Sequence, residues 1–455
     1  MTKRFSFFLL LLGILFFLLI KLPHLSIRLS DTNVYFYTAY SLLNQQLLYK
    51  DIFFTNLPLF PYISSVYQLI TFGDIKLFYA TAFLEVIVIA FLIYFIVYTK
   101  TKNYTTSVIS SLLYSFSSMV LITSDHQTGV FTASIFIVLS YLFLDKKHFL
   151  ISGIFAGLAF STKAYFLPIV LSFIIYLLFV KKEFRHLSLF FAGFMSLAIS
   201  ILLPFLLFSE REFINDLFYS ATRSGGVKHD ILRSFIRSDF ILFSVLIFNL
   251  FNFKKNSFFA IISLISIVFL HFYQGLYYIY LNFIIPFLAI SFYNLSDFLV
   301  HKRPLLKTVL PIIILSAIII NIIMYLKHFA SLEVIKDVNS ITELIKKENP
   351  KYLYGTSDIT PAFSYLSDVP LLDNIIDTNP NAFRKKVFDS KKLTQKAIDS
   401  KTIVVARGTD KLIIDDSPIN EIFDKDMLQK YCKPLSSIPI NTKGKSDRIN
   451  LLKCY

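Results

Sequence analysis

The residues most able to do chemistry in this chain stand where apolar runs end. Asp31 comes about ten residues after the first apolar run and precedes Thr32-Asn33-Val34-Tyr35. A carboxylate there caps the helix that follows it. Alternatively it acts as a general base at the lipid–water boundary, where low dielectric and nearby charge tune its pKa. Asp51, in Tyr49-Lys50-Asp51-Ile52-Phe53-Phe54, pairs with Lys50, closes a turn or meets a substrate. Asp125-His126 is either a solvated turn or part of a divalent-metal site completed by other loops. Lys163 separates the apolar runs 151–162 and 164–180. A lysine in that place snorkels to the interface or holds a lipid phosphate. His271-Phe272-Tyr273-Gln274 with Tyr277-Tyr278 reads as an interfacial aromatic belt or as a contact for a bound head group. Glu85 falls inside an apolar run and needs a partner there, which suits packing between helices better than chemistry. No CxxC, Cys/His cluster or HExxH is present, so a structural zinc site is not expected.

These residues must be positioned by membrane helices. Hydrophobic residues make up 55% of the 455, charged residues 16%, and the mean hydropathy is +0.63. A soluble domain sits nearer roughly 25% charged, so most of this chain faces lipid. About eleven apolar runs are long enough to span. They lie at residues 5–20, 75–98, 104–122, 127–144, 149–162, 164–180, 187–208, 239–253, 257–271, 277–293 and 308–326. The first is expected to be an uncleaved helix, because Lys21-Leu22-Pro23-His24 follows it with no small-residue cleavage site. Basic pairs mark alternate turns, at Lys100/Lys102, Lys146/Lys147, Lys181–Arg185, Lys254/Lys255 and Lys302/Arg303/Lys307. This positive-inside pattern puts the N-terminus in the cytoplasm and the loops bearing Asp31, Asp125 and Lys163 outside, with the tail. The net charge of +15 is therefore a topology signal, and no patch reads as a nucleic-acid site.

Residues 23–73 are too polar to span and rich in Tyr and Phe. Two amphipathic helices, at about 33–46 and 59–71, are expected to lie at the interface. The loop 209–238 contains Gly225-Gly226 and offers a flexible substrate lid. From about residue 330 the pattern becomes that of a water-soluble α/β domain: helix 333–347, strand 351–355, helix 361–366, helix 391–400 and strand 402–406. Without a GxGxxG fingerprint no nucleotide is assigned to it, and an outer lid or docking role is the simpler reading. Cys432 and Cys454, both in this tail, pair if it lies outside the cytoplasm. The expected fold class is mainly α: a polytopic helical bundle over residues 1–328 and an extracytoplasmic α/β domain over 329–455.

Three stretches resemble the GT-C superfamily of integral-membrane glycosyltransferases, in particular the protein O-mannosyltransferase and lipid A aminoarabinose transferase group. They are 31–62, with Asp31, an amphipathic helix and a Pro-Leu segment; 153–168, where Gly157-Leu158-Ala159 runs into Thr162-Lys163; and the aromatic segment 271–286. The resemblance implies hexosyl or pentosyl transfer in the cell envelope, from a polyprenyl-phosphate sugar donor to a lipid, glycan or protein acceptor. Asp31 would be the base in an inverting attack, and Lys163 would hold the donor phosphate. Asp51, Asp125 and His126 would serve the acceptor side, His271 and Tyr273 the donor head group. The pattern departs from the family at Thr32, where many relatives have an acid, and in a second acidic motif reduced to Asp125-His126. A divalent metal on Asp125 and His126 is therefore left open. The rival classes are a transporter or lipid flippase and a membrane scaffold; the gathering of ionisable groups at outer helix ends rather than at mid-membrane and the lack of an inverted repeat count against the first.

Overall fold

The computed structural model describes residues 2–221, 228–273, 275–302, 305–440 and 447–455. Gly225-Gly226, Gln274 and Arg303 lie outside the described residues. Helices stand at all the expected spans. Among the described residues five are long and apolar enough to cross a membrane: Lys3–His24, Ile75–Thr101, Ala164–Lys181, Phe184–Phe208 and Thr308–His328. Four shorter apolar helices, Val130–Asp145, Phe149–Thr162, Phe240–Phe251 and Ser257–Phe272, fill in between them.

Two expected spans are broken. The run 104–122 divides into helices Tyr104–Ser115 and Ser118–Thr123. The break is tolerable because Asp239 accepts the exposed backbone N–H groups of Ser118 and Met119, at 2.9 and 3.2 Å, and the Ser117 hydroxyl at 3.0 Å. The run 277–293 begins as the 3₁₀ turn Tyr278–Phe283 before helix Ile285–Lys302. Glu85 is buried and fully used in packing. It accepts from Tyr67 at 2.7 Å, from Gln127 at 2.9 Å and from Thr132, tying three helices together.

The helix ending at Lys163 is fixed by small residues. A Cβ on Gly153 would fall 1.9 Å from the Phe190 carbonyl oxygen, and one on Gly193 2.2 Å from that of Leu150. The helices Phe149–Thr162 and Phe184–Phe208 thus touch backbone to backbone, as small-residue membrane interfaces do.

The two helices of the first loop have different surroundings. Leu59–Ile70 is amphipathic, and Ile70 (65%) and Phe72 (93%) are exposed next to the start of a span, as expected at a lipid interface. Thr32–Leu43 is not interfacial: all of Thr32–Ala39 is buried. Tyr365 of the C-terminal domain packs edge-on to Phe36 at 4.7 Å and Tyr40 at 5.2 Å, which displaces lipid from that helix.

After helix Leu306–His328 the chain enters the C-terminal domain. Its sheet has the order β1-β2-β4-β3, with β1 (Tyr352–Gly355) parallel to β2 (Thr402–Thr409). β4 (Asp447–Cys454) pairs antiparallel with β2, and β3 (Lys433–Pro439) adds an antiparallel edge beyond it. The sequence pattern misses both, since β3 carries a proline at each end and little alternation, as edge strands do. The expected helix 333–347 starts later, at Val338, because Glu333 is in a turn and Val334 and Ile335 are paired. Cys432 and Cys454 form a disulfide across 22 residues, a closure contributing about 3 kcal/mol. The domain is not a detached lid. Ile341, Phe363, Val405 and Leu451 share one hydrophobic cluster with Val34, Phe36 and Phe60 of the first loop.

Gly153→Val should force the two helices apart, costing about 1–3 kcal/mol and lowering the Tm of the detergent-purified protein. An unchanged Tm would remove the close-contact argument.

Candidate functional site

A cavity of about 810 Å³ lies between one end of the helical bundle and the C-terminal domain. Asp31, Asp125, His126 and Lys163 all line it. Asp51, His271 and Tyr273 do not.

Asp31 sits at the N-cap position of helix Thr32–Leu43, yet its carboxylate makes no capping bond. Ser30 does that work, its Oγ accepting the Thr32 N–H at 3.1 Å. Asp31 is left exposed to the cavity. Its backbone is held from both sides. Residues 27–29 pair with 333–335 through an antiparallel bridge, with Leu29 N–H on Glu333 O at 3.0 Å and Ile335 N–H on Ile27 O at 3.1 Å. Ser30 N–H then donates to the Asp358 carbonyl at 2.9 Å, and the Asn33 amide donates to that carbonyl and to Arg28 O. The linker and the C-terminal domain therefore set the geometry of Asp31.

Asp125 is occupied by cations. Lys21, fully buried at the end of the first helix, donates to its Oδ1, and Arg28 lies 3.6 Å from Oδ2. The Tyr325 hydroxyl donates to both carboxylate oxygens at 3.0 Å. Lys21 also donates to Leu121 O at 2.7 Å, and Arg28 to Ala330 O at 2.7 Å and Leu332 O at 2.9 Å. The network joins the first span, the Asp125 turn and the end of the last span. Asp125 thus organises the site floor, and the acceptor-side role expected of it has to compete with these partners. Among the described residues no group of three His, Cys, Asp or Glu could hold a metal ion. Two cations beside Asp125 oppose the metal site left open for Asp125 and His126.

His126 bonds through Nδ1 to Ser30 Oγ at 2.7 Å, and Ser30 Oγ lies 2.8 Å from Thr32 Oγ1. Burial pushes the imidazole pKa down to about 4, against the pull of Asp125, so it is neutral near pH 7. It braces the Asp31 loop without adding charge. Gly129, at φ +81°, closes this turn against the Phe60 ring, which leaves no room for a Cβ.

Lys163 leaves its helix in an extended conformation (φ −148°, ψ 111°), which carries the side chain into the cavity wall. Its Nζ bonds to the Tyr35 hydroxyl and lies 4.5 Å from that ring's centroid. Tyr35 is in turn seated edge-on to Phe60 at 5.0 Å and Phe54 at 5.8 Å. Tyr165, two residues after Lys163, has a buried hydroxyl with no hydrogen-bond partner among the described residues.

The remaining sequence candidates lie elsewhere. Asp51 is spent on a turn, its Oδ2 accepting Leu47 N–H at 2.8 Å, and is exposed. His271 is exposed at a helix end and its carbonyl accepts from Lys228. Tyr273 packs behind the wall, 5.4 Å from the ring of Tyr280, so the lining tyrosines are Tyr277, Tyr278 and Tyr280 instead. Sequence reasoning also missed Glu333, Asp358, Arg384 and Arg407, all of which line the cavity. They lie beyond the last span, and no local spacing links them to Asp31.

Lys21→Met should destabilise the protein by about 3–5 kcal/mol and so lower the Tm, because it strands a buried carboxylate. Adding Asp125→Leu to Lys21→Met should recover part of that loss. Equal Tm values for wild type and the single variant would mean that the pair is not buried as described.

No protein-family model and no curated protein matches the sequence. Solved structures do match in three dimensions. Crystal structures of ArnT from Cupriavidus metallidurans, in the apo state and bound to undecaprenyl phosphate, superpose with TM-scores of 0.65 and 0.66 at 13% identity. Each match covers 97% of this chain and 97% of the other. The Archaeoglobus fulgidus oligosaccharyltransferase, in complex with zinc and sulfate, matches at 0.56 and 12% identity, over 87% of this chain and 67% of its own. The chain thus has the fold of the two ArnT structures over nearly its whole length.

Proposed function

We propose that this chain is a membrane glycosyltransferase that moves a sugar from a polyprenyl-phosphate donor to an acceptor hydroxyl. The observation that carries the reading is that an uncommitted carboxylate, Asp31, and a buried cation, Lys163, line one cavity at the membrane end of the bundle. The similarity to a structure bound to undecaprenyl phosphate supports the donor class. The odd number of expected spans and the basic inner turns put this cavity and the 329–455 domain outside the cytoplasm. The Cys432–Cys454 disulfide suits that oxidising side.

In this mechanism Asp31 takes the proton of the acceptor hydroxyl as its oxygen attacks the anomeric carbon. The bond from that carbon to the phosphate oxygen breaks on the opposite face, and its electron pair leaves with the polyprenyl phosphate. The anomeric configuration inverts through an oxocarbenium-like transition state. Lys163, held by Tyr35, offsets the charge gathering on the leaving phosphate, and in a half-desolvated wall it does so strongly. The unpartnered Tyr165 hydroxyl is a further donor to that phosphate. Asp125 and His126 keep the Asp31 loop in register without touching the reacting atoms.

With purified protein in nanodiscs and a panel of undecaprenyl-phosphate sugars, Asp31→Asn should lower kcat by about 10²–10⁴-fold. It should still bind undecaprenyl phosphate. Lys163→Ala should weaken that binding by about tenfold or more. Full transfer by Asp31→Asn would remove Asp31 as the base.

A further inference from the structure

Glu333 has an unusual place in this cavity. It follows the last span by five residues and adopts φ +60°, a left-handed conformation that non-glycine residues seldom hold. Such strain persists where the surroundings impose it, and it clusters at functional sites. Here the surroundings are explicit: the Glu333 carbonyl is bound to Leu29 N–H, two residues before Asp31, and Ile335 N–H returns the bond to Ile27. The side chain is exposed to the cavity, and no hydrogen bond or ion pair holds it among the described residues. Enclosure pushes its carboxyl above the usual range, while Arg407 pulls it down and the charges of Asp358 and Asp31 push it up.

A second, independent feature adjoins it. Asp358 is 8% exposed and lines the same cavity, yet only its Oδ2 is paired, to Arg407 at 2.8 Å. Asp358 Oδ1 and Arg407 Nε are buried without partners among the described residues. An unmet buried acceptor beside an unmet donor is costly unless something bound completes them. Beyond them the wall continues as Asn379, Asn381 and Ser417, short neutral groups that both give and accept hydrogen bonds.

Resting on the transferase reading, we infer that Glu333, with the Asp358–Arg407 pair behind it, binds the acceptor through a second hydroxyl next to the one that Asp31 deprotonates. The acceptor is then a polyol, a glycan or a glycolipid head group, rather than the lone hydroxyl of a serine or threonine. A carboxylate that only accepts, next to groups that also donate, is matched by vicinal hydroxyls and not by an apolar chain or an isolated alcohol.

The experiment uses the full chain in nanodiscs with the undecaprenyl-phosphate sugar panel and three model acceptors: an alkyl glycoside, an alkyl mono-alcohol of the same chain length and a serine/threonine peptide. Wild type is expected to favour the glycoside in kcat/KM by about tenfold or more. Glu333→Gln should raise the glycoside KM by about tenfold, with a far smaller change for the mono-alcohol. Unchanged undecaprenyl phosphate binding by this near-isosteric variant shows that it is folded. Preference of wild type for the peptide, or an unaltered glycoside KM in a folded Glu333→Gln, overturns the inference and leaves the transferase reading standing. Failure of wild type to transfer from any donor overturns that reading, and this inference with it.

Discussion

The buried pairing of Lys21 with Asp125 is the interaction on which the site depends. Neither charge is tolerable alone in an apolar bundle; together, with Tyr325 completing the carboxylate, they become a fixed point. From it Arg28 reaches the carbonyls of Ala330 and Leu332, so the two ends of the membrane part are held to one spot. Everything that shapes the cavity floor hangs on that junction: the bridge between 27–29 and 333–335, the Ser30–His126 contact, and the exposed carboxylate of Asp31. The ion pair acts less as stabilisation than as registration, choosing one arrangement of three segments over its neighbours.

Around this junction the site divides its labour by chemistry. The membrane side offers a cation set among aromatic rings, suited to a phosphate on an apolar tail. The domain side offers amides, a hydroxyl and carboxylates, suited to a hydrated partner. Asp31 stands where the two meet. That the C-terminal domain shares a hydrophobic cluster with helix Thr32–Leu43 explains why this boundary is firm rather than a moving lid.

Much of this was legible in the sequence because it rests on local periodicity and on charge. The positions of the spans follow from apolar run length, and Asp31 and Lys163 stood out as lone charges at run ends. The misses share a cause. Asp51 and His271 looked equally polar, but their partners, Leu47 N–H and Lys228, are local or peripheral, and spacing does not say which way a loop turns. Helix Thr32–Leu43 has the composition of an interfacial helix; only the packing of Tyr365 shows that protein, not lipid, covers it. Lys21 read as the flank of a first span, and Glu333 as the start of a helix. Lys21 owes its role to Asp125, 104 positions away, and Glu333 to Leu29, some three hundred away, and no window of sequence carries a signal over such distances.

The pairing of residues 27–29 with 333–335 has a consequence for how the protein is made. Arg28 and the carbonyl it clasps on Leu332 are 304 residues apart, with nearly every membrane helix between them. Contacts of such separation form last, since the loop they close must be organised first. The segment carrying Asp31 enters the membrane early in synthesis but has no partner strand until the final helix is in place. The two ends of the membrane part therefore join last, and the loop bearing Asp31 is set only when the molecule is otherwise finished.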